Sequence, residues 1–148
     1  MSLKQQLTDA MKAAMKAKDS LRLTTVRMVL SAIKNREIEQ RGELADDDVI
    51  GVLSSLVKQR KESVQLYQEG GRAELAEKEE AELAILQEFL PAPLGADEIA
   101  ALIERAVNET GAEGPRDMGK VMKIVSAETR GRADGKMVSD MVKERLAR

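Results

Sequence analysis

Five cations, Lys120, Lys123, Arg130, Arg132 and Lys136, cluster near the C-terminal end of the chain and are its best candidates for chemistry. Lysine offers an anion a compact charge and arginine a planar fork of donors, so together they suit phosphate oxygens. Arg130, Arg132 and Lys136 gather around a turn bracketed by Gly131 and Gly135, beside the start of a helix, where backbone N–H groups add to the attraction for anions. Asp134 stands at the N-cap position of that helix. Lys4, Lys12 and Lys16 form a second basic face, on the first helix, as a rival surface.

The rest of the inventory is thin. The chain holds no Cys and no His, which removes thiolate nucleophiles, imidazole bases, Ser-His relays and nearly every zinc geometry. No catalytic residue, no metal ligand and no cofactor is therefore assigned. Asp46, Asp47 and Asp48 lack the interleaved spacing of a calcium loop and fit a helix start, where acids complement the dipole. Glu79 and Glu82 read as a solvated or ion-paired face beside Lys78 rather than as an acid and base pair. Gly114 to Lys120 matches the first seven positions of a phosphate loop, but Val121 stands where a hydroxyl must hold magnesium, and no strand precedes it. Nucleotide binding is not expected there.

These residues must be positioned by helices, because no segment alternates with the period of a strand. Leu3, Leu7, Met11 and Met15 mark a first helix opened by Ser2 and ending near Lys18. Leu23, Val26, Leu30 and Ile33 mark a second, capped by Asp19 or Ser20 and followed by Gly42. Val49, Leu53, Leu56, Val57, Val64 and Tyr67 form the stripe of a third that stops at Gly70-Gly71. Leu75, Leu83, Leu86 and Leu90 belong to a fourth, over Ala73 to Leu90. Pro91 and Pro93 end it. Ile99, Leu102, Ile103 and Ala106 give a fifth from Asp97 to about Thr110, closed by Gly111. Met118, Val121, Met122 and Val125 give the buried stripe of a sixth, and a seventh follows Asp134.

The 148 residues are 43% hydrophobic and 1% aromatic, so the core must be aliphatic, which suits helix packing. Net charge is −2 but unevenly spread. Residues 1 to 41 carry nine basic and four acidic side chains, net +5; residues 42 to 114 carry six and seventeen, net −11; residues 115 to 148 carry nine and five, net +4. Two basic ends around an acidic middle suit internal charge complementarity or a polyanion gripped by one end. Without cysteines, and with Leu3 to Lys18 too often interrupted by polar residues for a signal peptide or membrane span, the expectation is a cytoplasmic protein with no membrane partner.

Several segments together resemble the YqeY-like proteins, whose C-terminal part is similar to the tail domain of the GatB subunit of glutamine-dependent aminoacyl-tRNA amidotransferases. They are TVRMVLSAIKNREIE (Thr25 to Glu39), KQRKES (Lys58 to Ser63) with Tyr67, Gly71-Arg72, EKEEAELAILQEFLP (Glu77 to Pro91), and MGKVMK with GRADGK. The resemblance covers essentially the whole chain. It implies an all-α, multihelical fold: an N-terminal four-helix subdomain over residues 1–92 and a smaller three-helix subdomain, similar to the GatB tail, over residues 93–148. The shared motif falls on Gly119, Val121, Met122 and Lys123, then on Gly131, Ala133 and Val138, with roughly one helical turn of additional chain between its two halves here.

By that resemblance the partners are tRNA, or an amidotransferase or other tRNA-handling enzyme; the clustered charge, for its part, makes Lys120, Lys123, Arg130, Arg132 and Lys136 the candidate RNA-binding residues. Neither an amidase signature nor a large ATP-binding domain accompanies them, so a non-catalytic accessory protein is expected. A carbon-nitrogen ligase using glutamine as amido-N-donor, or a protein adaptor working through the acidic middle, are the alternatives.

Overall fold

The computed structural model describes the whole chain, Met1–Arg148, and it is all helical. Seven α-helices follow one another: α1 (Leu3–Ala17), α2 (Ser20–Gln40), α3 (Asp46–Glu69), α4 (Ala73–Gln87), α5 (Ala96–Thr110), α6 (Met118–Thr129) and α7 (Gly135–Leu146). A single 3-10 turn, Pro115–Asp117, leads into α6. The chain packs as two compact units, Met1–Leu90 and Pro91–Arg148, each with its own apolar core.

Local chemistry explains most helix ends. The Ser2 side chain accepts the Gln5 N–H, and the Asp19 carboxylate accepts the Arg22 N–H, so α1 and α2 each begin on a side-chain cap. After α3, Gly71 takes φ 71°. The Arg72 N–H then reaches the Tyr67 carbonyl at 2.8 Å and the Gly71 N–H reaches that of Gln68 at 3.2 Å, which closes the helix with a doubly bonded left-handed cap. Gly111, at φ 68°, ends α5. Lys18 and Arg41 also cap at φ 56°, a conformation that disfavours any residue with a Cβ. Gly42 thus lies one position beyond the left-handed residue.

In the first unit, Leu7, Val26, Val29, Ile33, Val49, Leu53 and Leu86 are the innermost side chains. The burial of α1 departs from the expected stripe: Ala14 is buried and Met15 is 49% exposed. At about 100° per residue, Ala14 returns to within about 20° of Leu3 while Met15 lies about 120° away, so a strict four-residue spacing drifts off the core. Similarly, α4 buries Ala76 and Leu86, with Leu75 partly exposed. It ends at Gln87, and Glu88, Phe89 and Leu90 continue as three-residue turns on the carbonyls of Ile85, Leu86 and Gln87. Asp46 joins α3 to α1, its Oδ1 accepting the Leu3 N–H at 3.0 Å.

Glu79 and Glu82 are paired, and their partner is distant in sequence. Arg60 Nε on α3 lies 3.1 Å from Glu79 and 2.8 Å from Glu82, all three side chains being mostly buried, while Arg60 Nη2 abuts the Met28 sulfur. These bonds hold α4 along α3.

In the second unit, Ile99, Ile103, Ala106 and Val107 of α5 meet Val121 and Val125 of α6 and Val138, Val142 and Leu146 of α7. Met118 and Met122 are half-buried and pack against this cluster. Thr129 extends the inner stripe of α6, its hydroxyl satisfied by the Val125 carbonyl at 2.9 Å. Leu102 lies at the edge, half-buried.

Candidate nucleic-acid interface

α6 is amphipathic, and its outer side carries the cations. Burying Val121, Val125 and Thr129 turns Lys120 and Lys123 toward solvent, and both are exposed. Arg130, the C-cap residue, is exposed as well. It follows Lys123 by seven residues, so the two lie within about 20° of each other around the helix axis and about 10 Å apart along it. The stretch between Lys123 and Gly131 belongs almost wholly to α6, which runs unbroken to Thr129.

The five cations are not equivalent. Lys120 Nζ lies 3.7 Å from Asp117, one turn before it, and remains mostly exposed. Asp117 is more firmly engaged by the Glu113 N–H at 2.9 Å, a bond that lowers its pKa below the usual range, with a smaller contribution from Lys120. Lys123, Arg130 and Lys136 make no ion pair.

Arg132 is the exception. Its Nε donates to the Ala92 carbonyl at 3.0 Å, and its own carbonyl accepts the Leu94 N–H at 2.8 Å. The side chain is half-buried and ties the proline segment down. Gly131 at φ 75° reverses the chain after Arg130 and so separates an outward arginine from an inward one. Sequence spacing alone placed both in the basic turn; the contact that divides them spans forty residues.

The start of α7 is already capped. The Asp134 carboxylate accepts the Lys136 N–H at 3.4 Å, leaving the Lys136 side chain free and exposed. The phosphate-loop resemblance at Gly114–Lys120 falls on the 3-10 turn and first residues of α6, after the loop that follows α5, so a helix rather than a strand feeds it. A shallow cleft of about 460 Å³ lies nearby, lined by Leu94, Leu102, Arg105, Glu128 and Arg132 among others. On the opposite edge of α5, Glu104 pairs with Arg145, which lowers the carboxylate's pKa and raises that of the guanidinium. That pair joins α5 to α7. No helix is long and apolar enough to cross a membrane.

Comparison with known proteins supplies the lineage. Curated relatives share the name "Altered inheritance of mitochondria protein 41, mitochondrial". The one from Lachancea thermotolerans is 35% identical over 135 residues, covering 86% of this chain and 72% of the relative. That from Vanderwaltozyma polyspora is 40% identical over 102 residues, covering 67% and 55%. That from Kluyveromyces lactis is 44% identical over 89 residues, covering 60% and 46%. The chain thus spans about half to seven-tenths of the length of these relatives.

Their names overturn the expectation of a cytoplasmic protein, since each is named as mitochondrial. That expectation rested on cysteine content and on the polar residues interrupting Leu3 to Lys18, neither of which discriminates between cytoplasm and mitochondrion. A family model described as "Yqey-like protein" matches residues 4–146, and with that match the chain belongs to the Yqey-like family.

Proposed function

We propose that this chain is an accessory RNA-binding module, acting on structured RNA and most specifically on tRNA, with no catalytic step of its own. The supporting observation is the exposed row on α6, where Lys123 and Arg130 share one side of the helix without acidic partners. Lys120 and Lys136 extend it as exposed cations at the two ends of the motif. Arg132 is left out of the contact set, because its guanidinium is engaged. The choice of tRNA comes from the resemblance of this motif to the GatB tail.

Recognition by this row works through phosphate charge and helix shape. Single-strand recognition needs aromatic stacking platforms, and the only aromatics, Tyr67 and Phe89, belong to the first unit. Replacing Lys123, Arg130 and Lys136 by Gln should weaken tRNA binding and flatten its salt dependence. Each lost contact removes about 0.9 from the slope of log affinity against log salt, taking the duplex coefficient. Unchanged affinity and slope in this variant would remove the row from the interface.

A second reading has one observation in its favour. Leu66 is 67% exposed on α3, within the acidic middle of the chain, as an adaptor surface for a protein partner requires. Binding that survives added salt and is lost in Leu66→Ser would favour it. Glutaminase and ATP-hydrolysis assays on the pure protein test the ligase alternative.

A further inference from the structure

The α1–α2 pair of the first unit carries its own cationic face, and it differs from the one the sequence suggests. Lys4 does not belong to it. Its Nζ is bonded to both oxygens of Glu37 at 2.9 Å. That bond, with the 3.9 Å approach of Arg27 Nη2 to the Met15 sulfur, fixes α1 antiparallel to α2, so that Met15 lies beside Arg27 and Lys4 beside Glu37.

In this register two rows of cations flank one seam. On α1, Lys12 and Lys16 stand one turn apart, on the side remote from buried Leu7. On α2, Arg27 and Lys34 are seven residues apart, both about 90° from buried Val26 and on the side that meets α1. All four are exposed, and none forms an ion pair. Three acids stand three residues from these cations, and each is engaged elsewhere: Asp9 accepts from Gln5 Nε2, Asp19 accepts the Arg22 N–H, and Glu37 accepts from Lys4 and the Leu44 N–H. Thr24 and Ser31, exposed on the same side of α2, contribute hydroxyl groups.

We propose that this face is a second contact for the phosphodiester backbone of structured RNA, made by Lys12, Lys16, Arg27 and Lys34. The inference rests on the RNA reading above for its ligand, but on other residues in a separately packed unit. Charge complementarity and the shape of the face select the occupant. Arg27 and Lys34 are about 10 Å apart along the axis, a length over which a duplex presents about six phosphates, so every cation on the face finds one. The face offers no ring for a base to stack on. Its exposed large apolar side chains are two, Met15 beside Arg27 and Ile38 one turn beyond Lys34, separate residues at opposite ends of the face and too little to seat in a bilayer.

The test uses the full chain and a labelled tRNA transcript, titrated at a series of KCl concentrations. One variant replaces Lys12, Lys16, Arg27 and Lys34 by Gln; a matched control replaces Lys58, Lys61, Lys78 and Arg148, which are also exposed and unpaired. Circular dichroism melts establish that both remain folded. The first variant should bind at least tenfold more weakly at moderate salt and show a slope flatter by about 3.6, about 0.9 for each of four contacts, while the control stays near wild type.

If the first variant matches the control while the α6 variant loses binding, this proposal is overturned and the RNA reading stands. If the wild-type chain fails to bind tRNA even at low salt, both fall. Binding to phosphatidylserine vesicles that depends on these four residues, with tRNA binding unaffected by their loss, would assign the face to a lipid surface and likewise overturn the proposal.

Discussion

Glu37 shows how much one partly buried carboxylate can organise. It accepts the Leu44 N–H at 3.0 Å and both hydrogen bonds from Lys4, and these hold its pKa below the usual glutamate range, the backbone bond contributing most. Because the folded pKa is lowered, the stabilisation is fully present above the unfolded value of about 4.3 and is lost as pH falls through the folded one. Glu37→Gln should therefore lower the melting temperature at pH 7, and its difference from wild type should shrink below about pH 4. A difference constant from pH 3 to 7 would mean that the carboxylate's charge contributes nothing. Apolar positions differ in the same measurable way. Leu86 is fully buried, so Leu86→Ala should cost about 2–5 kcal/mol, whereas half-buried Met122 should cost less than about 2 kcal/mol on truncation. Equal losses in urea titrations would place Met122 in the core proper. The sequence shows Leu7, Val26 and Ile33 as inward because their spacing keeps to the helical period; it misleads at Met15 because a repeat of four drifts from that period.

The helices themselves were nearly all legible, since their ends are written in short-range chemistry: Ser2, Asp19 and Asp134 at starts, Gly71 and Gly111 at stops. The left-handed Lys18 and Arg41 were not legible, because nothing in a lysine or arginine announces positive φ. Contacts between helices were hidden for a simpler reason. Arg60 reaches Glu82 across twenty-two residues, and no local pattern encodes that. Arg60→Gln should destabilise by roughly 2–4 kcal/mol by leaving two mostly buried carboxylates side by side. Glu79→Gln should fall within about 1 kcal/mol of wild type, because Glu82 still pairs with Arg60 and one buried charge is gone. The opposite order would show that Glu79 is the principal partner. The same long reach divides the candidate site. Arg132→Gln should speed hydrogen exchange at the Leu94 amide while Arg130→Gln leaves it unchanged, and equal protection in both would mean that the Arg132 side chain does not hold this segment.

Across the chain, charge placement and helix count follow from the order of the residues, and the candidate cations were visible as a cluster, but which of them is free depends on the packing of the second unit. We propose that the units correspond to separable domains. The segment between them is not uniformly loose: Pro91, Ala92 and Pro93 are exposed, but Arg132 holds both the Ala92 carbonyl and the Leu94 N–H. Limited proteolysis should therefore cut first between Gln87 and Pro91, ahead of the pinned residues; first cleavage inside Lys58–Tyr67 would contradict the division. The aliphatic cores that make this architecture have a side effect. With no Trp, one Phe and one Tyr, the near-ultraviolet emission of the protein comes from a single phenol, Tyr67, half-buried in the last turn of α3. Its carbonyl accepts the hydrogen bond that closes that helix. The molecule thus carries a native optical probe at one end of the α3–α4 hairpin: fraying there should alter tyrosine intensity and anisotropy, while melting confined to α5–α7 should pass without a signal from any ring of its own.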